Sequence, residues 1–158
     1  LPDLAIGMFS AWLLWLWCPR RSQMPALLRV LFIGFAWLPI AFVLYSIQSL
    51  WYVSTGDFVL GRAPAHALFI GFFGSLLVAM VTRVTQGHSG RPLVLGNTAA
   101  FAFVVVQGVA ITRVLAEVLP DTFAWHAVAG IGWIVGFLPW VLRSGRIYLS
   151  PRIDGQPG

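Results

Sequence analysis

Three histidines, His66, His88 and His126, are the residues of this chain best suited to chemistry. Imidazole is the commonest biological metal ligand and changes charge near neutral pH. His66 opens one long apolar run and His126 opens another. An ionisable group in such a place costs free energy and is a functional suspect, although snorkelling or a plain hydrogen bond is the simpler explanation of each. His88 lies in Gly87-His88-Ser89-Gly90-Arg91-Pro92. Its glycines free the backbone to turn tightly. With Arg83 and Arg91 close by, exposed amides there suit an anion such as a phosphate or a haem propionate. The same arginines also suit a plain topological role. If the intervening residues form one helix, His66 and His88 stand roughly 33 Å apart at 1.5 Å per residue. They cannot then share one ion or the two faces of one haem. His66 and His126 fall at one depth, so haem or copper between them is the pairing that geometry allows. Met80 is either a soft copper ligand or simple packing.

Other chemistries find little support. No G-x-x-x-x-G-K-[ST], G-x-S-x-G, H-E-x-x-H or paired C-x-x-C occurs. Cys18 is the only cysteine, which excludes an intrachain disulfide. Glu117 and Asp121 lie near Arg113, where ion pairing or solvation of a loop accounts for them. No residue is assigned a catalytic role, and whether the chain is an enzyme stays open.

The elements that must position the histidines are membrane helices. Of the 158 residues 59% are hydrophobic and 9% charged, against about a quarter charged in a soluble domain. Five apolar stretches, about residues 4–17, 26–53, 65–84, 98–119 and 123–142, approach the length that crosses a hydrocarbon core of roughly 30 Å. Lipid offers backbone groups no partner, so the expected fold is all-α: a polytopic helical bundle of about five transmembrane helices forming a single domain. The chain begins at Leu1 inside an apolar run, which reads as the C-terminal portion of a longer chain. Every basic residue is arginine. Arg20, Arg21, Arg29, Arg83, Arg91, Arg143, Arg146 and Arg152 flank one side of the spans, and Arg62 and Arg113 the other. This bias places the C-terminus in the cytoplasm and His66 and His126 near the outer face. It reads as topology, not as a nucleic-acid surface.

Ala67, Gly71, Ser75 and Ala79 recur every four residues and form a stripe of small side chains. Such a stripe admits a neighbouring helix, or a flat cofactor, at close range. Gly132 and Gly136 form a G-x-x-x-G that reads as packing. Pro39 should kink the second span.

The run His66-Ala67-Leu68, Gly71-Phe72, Met80-Val81-Thr82-Arg83-Val84-Thr85 and Gly87-His88-Ser89-Gly90-Arg91-Pro92-Leu93 closely resembles the NnrS family, as does the tail from Pro151 to Gly158. The resemblance implies a bacterial inner-membrane protein of about twelve spans that contains haem and copper. It also implies a part in nitrogen-oxide metabolism, denitrification and resistance to nitric oxide, with partner ligands in an N-terminal half bearing its own histidine motif. On the matched positions it carries over His66 and His88 as metal-ligand candidates; His126 lies outside the motif and rests on depth alone. The partners expected are the bilayer, that N-terminal half and nitric oxide; no nucleic acid is expected, and the oligomeric state stays open. Two other functions remain open: a transporter or channel with Gln107, Thr112, Arg113 and Pro39 along a polar path, and an accessory subunit packed on a larger complex.

Overall fold

The structure is a computed structural model describing residues 2–18 and 24–155. Arg20 and Arg21 lie outside those residues, as do the last three of the tail. Regular structure among the described residues is entirely helical. Helix α1 spans Pro2–Trp17 and α2 spans Ala26–Thr55. Helix α3 runs unbroken through Ala63–His88, α4 spans Asn97–Leu115 and α5 spans Thr122–Tyr148. Four of these, α2 to α5, are long and apolar enough to cross a membrane; α1, with 16 residues, falls short of the roughly 20 that a span takes. The third helix reaches His88, beyond the expected 84, and the fourth stops at Leu115, short of 119. The fifth passes 142 into a polar stretch containing Arg143 and Arg146.

Local sequence explains the ends. Gly56 closes α2 in the left-handed conformation (φ 81°), its N–H bonded to the Tyr52 carbonyl. Gly90 does the same after α3 (φ 71°), and the next N–H, of Arg91, returns to the Gln86 carbonyl at 2.9 Å. Asp121 caps α5 by accepting from the Ala124 N–H.

Packing follows chain order: α1 on α2, α2 on α3, α4 on α3 and α5. Small residues set the spacing. Ala67, Gly71, Ser75 and Ala79 are all buried, so the stripe is a helix–helix seam. A Cβ on Gly71 would overlap the Trp37 indole, and one on Gly34 would lie 2.7 Å from the Ser75 Cβ. Gly136 admits Val105 in the same way. Large apolar side chains point outward instead; Val104, Ile131 and Ile134 are each more than 60% exposed. A bundle that hides small residues and shows large ones is built for lipid, where packing rather than water exclusion joins helices. Polar groups in the middle are consumed internally. Trp37 Nε1 donates to Gln107 Oε1 at 2.7 Å, and Gln107 Nε2 donates to Ser75 Oγ at 2.6 Å. Both ends of Gln107 are therefore taken by protein.

Candidate metal centre

At one end of the bundle three elements bring their polar side chains together. His66 lies in the first turn of α3, where Pro64 starts the helix without needing an N–H partner. His126 lies in the first turns of α5, held by the Asp121 cap. Glu117 lies between them in sequence, in the turn after α4. That turn is tight: the N–H groups of Val118 and Leu119 both bond the Leu115 carbonyl. It directs the carboxylate back over the bundle end.

One carboxylate oxygen, Glu117 Oε1, lies 3.3 Å from His66 Nε2 and 3.3 Å from His126 Nε2. The other, Oε2, accepts from the Arg62 backbone N–H at 3.0 Å. Gly61 makes that approach possible. Its backbone is left-handed (φ 48°), and a Cβ there would fall on Glu117 Oε2. Burial alone would raise the Glu117 carboxyl, but the Arg62 N–H and the His66 imidazole outweigh it and hold the group below its ordinary value. Glu117 is an anion here. The imidazole rings meet edge to face with centroids 6.1 Å apart.

One donor atom from each of the three side chains lies within 4.8 Å of the others. Two imidazoles and a carboxylate suit a small ion such as copper, zinc or iron. His126 Nε2 supplies the fit test. It is buried and makes no hydrogen bond, although Glu117 Oε1 lies 3.3 Å away. A buried polar nitrogen without a partner calls for one, and an ion between the three donors would supply it. A haem plane does not fit between His66 and His126, because the Glu117 oxygen bridges the two nitrogens. The structure brings the two histidines together around Glu117.

His88 stands elsewhere. It ends α3 at the opposite end of the bundle, exposed, beside a cavity of about 340 Å³ also lined by Tyr148 and Arg152. Arg83 lines a separate cavity with Pro25, Leu27, Leu28 and Leu93. Arg91 has one guanidinium nitrogen buried without a hydrogen bond. Met80 is exposed among apolar neighbours, where a copper ligand has no companions. The residue that sequence reasoning passed over is Glu117; its position on the same side of the spans as His66 and His126 was the available signal.

A family model described as NnrS protein matches residues 1–152. The chain belongs to the NnrS family. No curated protein and no solved structure matches it. The matched stretch of this NnrS chain includes all three members of the cluster and the His88 loop.

Proposed function

We propose that this NnrS chain is part of a bacterial inner-membrane metalloprotein of the nitric oxide response, with His66, Glu117 and His126 as ligands of a copper ion. Family membership supports a membrane protein tied to that response. The convergence of three donor atoms within 4.8 Å at one end of the bundle carries the metal reading. A copper ion supplies a Lewis-acidic, redox-active centre for small nitrogen oxides. The chain's own part is to aim two imidazoles and one anion at a common point. The Arg62 N–H fixes the carboxylate, as outer hydrogen bonds orient ligands in known metal sites. With the C-terminus in the cytoplasm, as the arginine bias indicates, the cluster lies at the outer face. A haem role in this chain falls to His88, which has open space beside it lined also by Arg152, with the second ligand from outside the residues described.

The test is metal analysis and electron paramagnetic resonance of purified full-length protein. A stoichiometric copper signal with nitrogen hyperfine structure, lost in both His66→Ala and His126→Ala, is expected. Copper-free protein, or copper unaffected by either substitution, would refute the reading.

A further inference from the structure

A cavity of about 160 Å³ sits directly inward of the metal cluster, lined by Ile70, Val109, Arg113, Ala129, Gly130 and Trp133. Its position follows from chain spacing. Ile70 is four residues beyond His66, Arg113 four before Glu117, and Gly130 four beyond His126. Each wall thus continues, about one turn deeper, from one of the three ligands. Gly130 is exposed at the rim, and no atom lies within 4 Å of where its Cβ would be. Engineered apolar cavities of roughly 150 Å³ hold small guests such as benzene.

The one charged group in this lining is Arg113. Its Nε is buried and makes no hydrogen bond, and no carboxylate among the described residues forms an ion pair with it. It is close enough to His66 for its charge to act on that imidazole. Arg113 is half-buried, with only its Nε fully enclosed, and a cation without a carboxylate partner at such a place favours an anion beside it. A metal ion at the cluster makes the imbalance worse. A divalent ion, with the Glu117 carboxylate and the Arg113 guanidinium, leaves two positive charges in excess. Protein groups do not neutralise them; an external anion would.

We propose that Arg113 and the cavity beneath it form a binding site for a small monovalent anion, such as azide or nitrite, which ligates the ion held by His66, Glu117 and His126. The guanidinium supplies a charge-assisted hydrogen bond, and the apolar walls limit the guest to a few atoms. This rests on the metal reading above. The test loads purified full-length protein with Cu(II) and titrates azide, following the azide-to-copper charge-transfer band. Saturable azide binding is expected in the wild type. Arg113→Gln should weaken it roughly tenfold or more at unchanged copper content. Gly130→Leu, which adds a bulky side chain at the cavity rim without replacing a ligand, should weaken it too and decides the matter if Arg113→Gln does not hold copper. Wild-type azide affinity in both variants would overturn the anion site and leave the copper site standing. A wild type that binds no copper would overturn both.

Discussion

The two ends of the bundle carry similar residues and make different things of them. At one end, α3, α5 and the turn after α4 each contribute a side chain, and the three meet. At the other, His88 projects from the last turn of α3 alone, while the chain's tail folds back on the adjoining loop. The Ile153 N–H bonds the Ser89 carbonyl at 3.2 Å. The Asp154 carboxylate sits over Gly90, where a Cβ would fall 2.7 Å from it, and pairs with Arg152. An imidazole becomes a ligand through the number of elements that converge on it. Glu117 makes the difference, because its backbone-held anion gives two imidazoles a common target.

The sharpest way to break this comparison is to remove the histidines one at a time. His66→Ala and His126→Ala should each lower copper affinity by more than the roughly 10–100-fold that outer-shell changes cost, measured by chelator competition. His88→Ala should leave it unchanged, and an equal loss there would erase the distinction between the ends. Next comes Glu117→Gln, which keeps an acceptor for the Arg62 N–H but removes the charge; a loss of roughly 10–100-fold is expected. Acid should act through the imidazoles first. Copper affinity should fall as acid protonates the imidazole nitrogens that would hold the ion. Glu117, held below its ordinary value, contributes fully above that value and is lost only as pH falls through the lowered one. An affinity that falls only in the carboxylate range would argue against imidazole ligation.

Smaller effects belong to the scaffold. Gly71→Ala forces a methyl into the Trp37 indole and should cost about 1–3 kcal/mol in reversible unfolding. The least effect is expected from Asp154→Asn. It loosens a surface pair with Arg152, and neither copper affinity nor thermal stability should change measurably.

Much of the scaffold was legible in the residues. Apolar runs and their arginine flanks marked the spans, and the four-residue spacing of Ala67, Gly71, Ser75 and Ala79 marked a buried seam that the structure contains. Shared depth placed His126 with His66. Glu117 was not legible as a member of the cluster, because the apolar run through Leu119 hid the end of α4 at Leu115. Only that early ending lets the carboxylate fold back. Nor does any side-chain pattern reveal that Gly61 must be left-handed to let Arg62 reach the same carboxylate.

Residues Ala67–Gly74 of α3 form a π-helix, a wider coil than the α-helix and a rare one. Its consequence is rotational. Side chains four apart drift by about 40° per step around an α-helix of 3.6 residues per turn, so a stripe spaced strictly by four would slide off its neighbour within a few steps. The broader winding slows that drift and keeps the seam in line with His66. Were those eight residues to tighten into an α-helix at constant length, His66 would rotate on the order of 100° relative to Ser75 and Ala79. The winding of one short segment therefore sets how the His66 end of the helix is turned relative to the seam.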